Sequence, residues 1–135
     1  MERVLDRLWI GGAEDFKLPL VTLGFSGVLD LRDMASDQQR EFVGILSVWH
    51  IMNRDGDPWN REQVLDAMDF IDEQLARGSV LVACTAGMSR SASMMVGYLV
   101  KTGWSAPEAI ACVRQARPQI LPVSCMLESV LRALK

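Results

Sequence analysis

The chain has 135 residues, 50% of them hydrophobic, which suits one domain with one continuous core. Charged residues make up 23% of the chain and the net charge is -3, so composition favours neither a disordered chain nor a basic nucleic-acid surface. We therefore expect a single domain over residues 1–135 that binds no nucleic acid.

Neither membrane association nor export is indicated. The longest apolar runs, at 80–84 and 94–100, are far shorter than the roughly 20 residues that cross a bilayer. The first nine residues mix charged and apolar side chains and lack the apolar centre of a secretory signal. The three cysteines form no CxxC pair, which argues against a disulfide framework. We expect a cytoplasmic monomer.

Short apolar runs bounded by glycine or other turn residues predict strands in the first half of the chain. These strands cover 7–10, 27–31 and 49–52. The segments 13–23 and 37–47 between them are predicted to be helical. Strands and helices would thus alternate.

Helical spacing is clearest from residue 60 onward. Asn60 and Gln63 form a capping box ahead of a helix that Gly78 ends. The apolar run 79–83 then predicts a strand in the middle of a sheet. Three further helices are predicted, at 91–102, 105–116 and 126–134.

Alternating strands and helices predict an α/β domain. We expect a central, mostly parallel sheet of about four or five strands flanked by helices. The strand 79–83 would lead through a short loop into the helix 91–102. Backbone N–H groups converge on anions at such strand–loop–helix junctions, so this loop is the first place to look for a site.

The loop begins with Cys84 and ends with Arg90. A thiolate is a good nucleophile, and helix amino termini and nearby cations favour that form. The guanidinium of Arg90 can donate two parallel hydrogen bonds to a phosphate group. The intervening residues would bind phosphate through their backbone N–H groups; they are Thr85, Ala86, Gly87, Met88 and Ser89. The pattern predicts a phosphate-binding loop with a cysteine nucleophile.

Two further groups complete this chemistry. Ser91 can donate a hydrogen bond to the sulfur as the thiolate departs from a phosphoenzyme. An acid for the leaving group must come from elsewhere in the chain. Asp55 and Asp57 flank Gly56 in a predicted turn, and both are candidates, although aspartate next to glycine also stabilises turns on its own.

The remaining reactive side chains favour packing roles. His50, the only histidine, has no metal-ligand spacing around it, and we expect neither a metal nor an organic cofactor. Cys112 lies on an apolar helix face, and a disulfide between Cys125 and Cys84 has no support from their spacing. Met88 is expected at the entrance of the site.

The segment VLVACTAGMSRSAS resembles the VLVHCxxGxSRSAS signature of the dual-specificity protein tyrosine phosphatases. Similar family features are found at 50–55, 70–71, 98–99 and 117–122, so the resemblance covers nearly the whole chain. It implies that Cys84 is the nucleophile, Arg90 the phosphate clamp and Ser91 the partner of the leaving thiolate. It also implies that Asp55 is the general acid, with Asp57 as the alternative for that role.

Two positions depart from the family pattern. Ala83 stands where the family has a histidine that orders the loop, which leads us to the hypothesis that the thiolate of Cys84 is less well stabilised here. Val123 stands where an asparagine is common, and a polar support of the loop would then be missing.

The resemblance implies hydrolysis of phosphotyrosine and of phosphoserine or phosphothreonine through a phosphocysteine. The substrate would be a phosphorylated protein or a small phosphate ester. Two alternatives stay open on sequence alone. One is a non-protein substrate such as an inositol phosphate, a glucan or an RNA 5′-phosphate. The other is a pseudophosphatase that binds phosphorylated partners without turnover.

Overall fold

The computed structural model describes residues 1–32, 39–43, 46–51, 56–122 and 124–135, with the segment 39–43 described by its backbone alone. Within these residues six strands form one sheet in the order β1-β2-β6-β3-β5-β4. They are β1 (Glu2–Leu5), β2 (Leu8–Gly11), β3 (Phe25–Asp30), β4 (Gln39–Val43), β5 (Leu46–His50) and β6 (Ser79–Ala83). The predicted α/β class is confirmed.

The four predicted strands form the parallel centre of this sheet. Strands β2 and β3 flank β6 on either side, and β5 pairs with the outer side of β3, all in parallel register. The two edge strands, β1 and β4, are antiparallel and were not predicted. The sheet is therefore mostly parallel, as expected, with two strands more than the four that were predicted by position.

The prediction of a helix over 37–47 is wrong. Within this range the chain forms β4 and the start of β5, which pair antiparallel with each other. The apolar residues near 42–46 fit helical spacing, but Phe42 and Val43 also suit a strand, and pairing with a neighbouring strand overrides local propensity. The strand predicted at 49–52 consequently begins earlier, at Leu46, and Met52 lies outside the described residues.

The helix predicted over 13–23 is limited to one short 3-10 helix, Ala13–Lys17. Leu18 is extended, with φ -74° and ψ 154°. Pro19 explains this change, because a residue before proline is disfavoured in the helical region and proline itself has no N–H to donate. Turns then carry the chain to β3.

The four helices predicted after residue 60 are all present. They are α1 (Arg61–Leu75), α2 (Arg90–Lys101), α3 (Ala106–Ala116) and α4 (Ser124–Ala133). At the start of α1 the Asn60 side chain accepts from the Gln63 backbone at 2.8 Å, and the Gln63 side chain accepts from the Asn60 backbone at 3.1 Å. Ser105 and Glu108 form the same reciprocal cap before α3.

The main core lies between the helices and one face of the sheet. Leu29, Val82 and Cys84 contribute to it from the sheet side, and Met94 and Met95 of α2 are fully buried in it. A smaller core on the opposite face includes Leu20, Val28, Leu81 and Ala83. Since consecutive residues of a strand point to opposite faces, Ala83 and Cys84 belong to different cores.

Candidate active site

The site lies at the carboxyl end of the central strand, β6, where the chain turns into α2. Cys84 follows β6 directly and is only 1% exposed. Helix α2 begins at Arg90, with Ser89 as the cap residue. Gly87 has φ +69°, a left-handed conformation that glycine adopts without strain, and it allows the tight curvature between them.

Two polar groups approach the sulfur of Cys84. The backbone N–H of Gly87 donates to Sγ at 3.2 Å, and the Ser91 hydroxyl lies 3.3 Å from the same atom. Both groups suit a negative charge on sulfur, as does the amino terminus of α2 behind them. The predicted pairing of Cys84 with Ser91 is thus present in the geometry.

Neighbouring segments hold the loop by its backbone carbonyls. The N–H of Ala13 donates to the carbonyl of Thr85 at 2.9 Å, and the N–H of Leu121 donates to that of Met88 at 2.7 Å. Gly12 permits the first contact, because a Cβ at this position would lie 2.9 Å from the Thr85 oxygen. The carbonyls therefore point away from the sulfur.

Arg90 is buried at the end of the loop, with 6% of its surface exposed. Its Nη1 donates to the Leu31 carbonyl at 3.2 Å, and its Nη2 donates to the Thr85 hydroxyl at 3.2 Å. Leu31 follows β3, which pairs with β6, so the sheet itself positions the guanidinium. The side chain is placed at the mouth of the loop rather than in solvent.

A cavity of about 450 Å³ opens above the loop. Its lining consists of loop residues and one residue from the segment after α3: Cys84, Thr85, Ala86, Met88, Ser89, Arg90 and Leu121. Met88 lines this cavity. Leu121 is 64% exposed, which makes it a large apolar group presented at the mouth.

Of the two candidate acids, the structure describes only Asp57. Asp55 lies outside the described residues, and its role stays a prediction. Asp57 is described and exposed. Between them, Gly56 contacts α4 through two sulfur atoms: Cys125 donates to its carbonyl at 2.7 Å, and its N–H donates to Met126 at 3.2 Å. The turn that follows Asp55 is therefore attached to α4.

The other reactive side chains lie outside the loop. Nδ1 of His50 is 2.9 Å from the buried carboxylate of Asp30, which also pairs with Arg32. Burial raises the pKa of the Cys112 thiol, which packs against the main core. Among the residues with described side chains, no group of three His, Cys, Asp or Glu residues is placed to hold a metal ion.

Sequence reasoning missed three described residues that donate hydrogen bonds to the backbone carbonyls of the loop from distant parts of the chain. They are Ala13, Leu121 and Arg117, whose guanidinium donates to the carbonyls of Ala86 and Gly87. Only Arg117 carried a signal, as the first residue of the family-like RPQILP segment. The contacts of Ala13 and Leu121 use backbone atoms, which residue type does not reveal. Val123 lies outside the described residues.

Among the described residues, no helix is both long and apolar enough to cross a bilayer.

Comparison with known sequences agrees with the family resemblance of the loop segment. The family model for the dual specificity phosphatase catalytic domain matches residues 8–133. The chain is 44% identical over 59 residues to dual specificity protein phosphatase Mpk3 of Drosophila melanogaster, a match that covers 42% of this chain and 14% of that protein. It is 41% identical over 71 residues to dual specificity protein phosphatase 1 of Arabidopsis thaliana, with 50% and 36% covered. The matches thus span little of these relatives' lengths.

Solved structures share the fold over nearly the whole chain. Human DUSP28 matches with a TM-score of 0.80 and 21% identity, covering 99% of this chain and 95% of that one. PTPMT1 in complex with PI(5)P matches with a TM-score of 0.75 and 18% identity, covering 98% and 92%. At these identities the similarity concerns the fold alone.

Proposed function

Because the chain belongs to the dual-specificity phosphatase family, we propose that it hydrolyses phosphate monoesters of phosphotyrosine and of phosphoserine or phosphothreonine through a phosphocysteine. One observation carries the proposal. The Cys84 sulfur lies within hydrogen-bond distance of the Gly87 N–H and the Ser91 hydroxyl, at the base of a cavity that Arg90 also lines. This arrangement unites a nucleophile, an anion-binding loop and a phosphate clamp.

In the first step the Cys84 thiolate attacks phosphorus. A sulfur–phosphorus bond forms, the bond between phosphorus and the ester oxygen breaks, and the general acid gives its proton to that oxygen. We assign the acid to Asp55, with Asp57 as the alternative. The backbone N–H groups of the loop and the guanidinium of Arg90 hold the three equatorial phosphate oxygens as charge redistributes.

In the second step water attacks the phosphocysteine. The carboxylate left by the first step takes a proton from this water, the sulfur–phosphorus bond breaks, and inorganic phosphate forms. The departing thiolate needs a hydrogen-bond donor, and the Ser91 hydroxyl is within reach of the sulfur. Besides substrate and water, the two proposed steps use only side chains and backbone groups of the chain.

The cavity walls favour a substrate with an apolar group next to the phosphate. Met88, Leu121 and Ala86 line the cavity with apolar side chains. An aromatic ring buries more apolar surface against them than a serine side chain does. We therefore propose faster turnover of phosphotyrosine than of phosphoserine, with both admitted.

A non-protein substrate is the second candidate. The neighbour PTPMT1 was solved with PI(5)P, so this fold accommodates a phosphoinositide in that protein. In this chain, Arg90 is the one charged residue among the described residues that line the cavity. A polyanionic headgroup gains most from several cations, so the described lining favours a monophosphate.

The decisive experiment measures hydrolysis of p-nitrophenyl phosphate with EDTA present. Turnover is expected for the wild-type chain and for Cys112→Ala, which removes a thiol outside the site. Cys84→Ser should abolish turnover and retain phosphate binding. No wild-type turnover, together with retained binding of a phosphopeptide, would instead support the phospho-binding function. A parallel screen of phosphopeptides and inositol phosphates, with wild type and Leu121→Ala, tests the substrate class.

A further inference from the structure

Glu2 lies on the edge strand β1, far along the chain from the nucleophile. Its carboxylate contacts Nη1 of Arg117 through both oxygens, at 2.5 and 2.9 Å. The Arg117 side chain is 12% exposed and that of Glu2 is 32% exposed, so the pair is partly shielded from solvent. Screening by water is therefore weaker here than for a pair on the open surface.

The other two nitrogens of Arg117 bind the phosphate loop. Nε donates to the Gly87 carbonyl at 2.9 Å, and Nη2 donates to the Ala86 carbonyl at 3.0 Å. Together with the contacts of Ala13 and Leu121, four consecutive loop carbonyls, from Thr85 to Met88, accept hydrogen bonds from outside the loop. Arg117 supplies the middle two.

Holding these carbonyls fixes the N–H groups that would bind phosphate. A trans peptide is planar, and its C=O points opposite to the N–H of the next residue. A hydrogen bond that holds the Ala86 carbonyl outward therefore turns the Gly87 N–H inward, and the Gly87 carbonyl does the same for Met88. The inward direction is visible in the bond from the Gly87 N–H to the Cys84 sulfur.

We propose that Glu2 is a positioning residue for the phosphate loop, acting through Arg117 on the peptide groups of residues 86–88. Because a guanidinium is planar, fixing Nη1 against Glu2 fixes the plane in which Nε and Nη2 meet the two carbonyls. All three nitrogens are then used within the protein. Arg117 consequently orders the loop and is not a second cation for the substrate.

The inference rests on the proposed phosphate site, so its test measures binding of inorganic phosphate by calorimetry as well as turnover. Glu2→Gln should weaken phosphate binding and lower kcat/KM by roughly tenfold, because small displacements of positioned groups have large effects on rate. Arg117→Ala should lower phosphate affinity and kcat/KM further than Glu2→Gln does. Arg117→Lys should resemble the alanine variant, since lysine keeps the charge but lacks the planar fork.

A double-mutant cycle separates action through Arg117 from an independent effect. The Glu2→Gln change should have little effect in the Arg117→Ala background, because the group it positions is gone. Glu62→Gln, an exposed glutamate on α1, is the matched control and should leave phosphate affinity unchanged. Urea midpoints at neutral pH check that each variant is folded.

Three results would overturn the inference: unchanged phosphate affinity in Glu2→Gln, additive effects in the double variant, or tighter phosphate binding once Glu2 is removed. The last would show that Glu2 competes with substrate for Arg117. Wild-type phosphate binding without turnover would contradict the proposed hydrolysis alone. The double-mutant cycle, measured by phosphate affinity, would then still decide the role of Glu2.

Discussion

The Cys84 sulfur lies 3.3 Å from the Ser91 hydroxyl, although the two side chains belong to opposite ends of the phosphate loop. Cys84 follows the central strand, and Ser91 is in the first turn of α2. Both are almost completely buried. A hydroxyl in this position can stabilise the thiolate each time that it is released.

Ser91→Ala should slow breakdown of the phosphoenzyme more than its formation. Loss of one donor to a charge that develops in the reaction typically costs about 10²-fold in rate. Rapid-mixing kinetics with p-nitrophenyl phosphate should show a burst of nitrophenol followed by slow steady turnover. Ser93→Ala is the control, because Ser93 is equally buried on α2 and its hydroxyl has no hydrogen-bond partner among the described residues. A variant without a burst would contradict the assigned role.

Asp55→Asn should remove general acid catalysis and lower kcat for an alkyl phosphate by about 10²-fold or more. The alkaline limb of its pH–rate profile should flatten, because that limb reports the loss of the acid's proton. A substrate with a nitrophenol leaving group needs less protonation and should be affected less. Asp57→Asn, two residues away, is the matched control. A larger loss at Asp57 would transfer the role to that residue.

Ala83→His tests the departure from the family pattern. The family resemblance predicts faster inactivation of Cys84 by iodoacetate, since the histidine orders the loop. The structure adds a cost: Ala83 is fully buried in the smaller core, and an added side chain there should lower the free energy of unfolding by about 1–3 kcal/mol. Ala83→Leu controls for bulk. Equal inactivation rates in wild type and Ala83→His would contradict the hypothesis that Ala83 leaves the Cys84 thiolate less well stabilised.

Tyr98→Phe should change how stability depends on pH. Burial, and then the hydrogen bond from the Tyr98 hydroxyl to Asp72 at 2.6 Å, raise the pKa of Tyr98 well above its ordinary value. Above about pH 10 the unfolded tyrosine loses its proton while the folded one keeps it, so wild-type stability falls as pH rises. Urea unfolding at pH 8 and above pH 10 should show a smaller fall in the variant. An equal fall would mean that other groups dominate.

The sequence was most informative where structure is set locally. The caps at Asn60 and Ser105 and the apolar run 79–83 predicted three elements and their places, because each signal lies within a few residues of the element it defines. The spacing of Cys84, Arg90 and Ser91 likewise predicted how they come together around one loop. The edge strand β4 was not predicted, because whether a segment forms a strand depends on the neighbouring strand it pairs with as well as on its own residues.

The supports of the loop were the least predictable part of the site. Ala13 and Leu121 contact it through backbone N–H groups, so any residue type except proline would serve. Leu121 also presents an exposed apolar side chain at the mouth, which a sequence pattern does not distinguish from a buried one. Such contacts depend on which distant segments the fold brings together.

The outward carbonyls of Thr85 to Met88 have a thermodynamic consequence. Because the N–H groups of Ala13 and Leu121 and the guanidinium of Arg117 already hold these carbonyls, the loop loses its backbone conformational entropy when the chain folds and not when phosphate binds. More of the interaction free energy then remains as affinity. A peptide containing only the loop and α2 would have to order itself around each phosphate ion, and should bind it far more weakly than the whole domain.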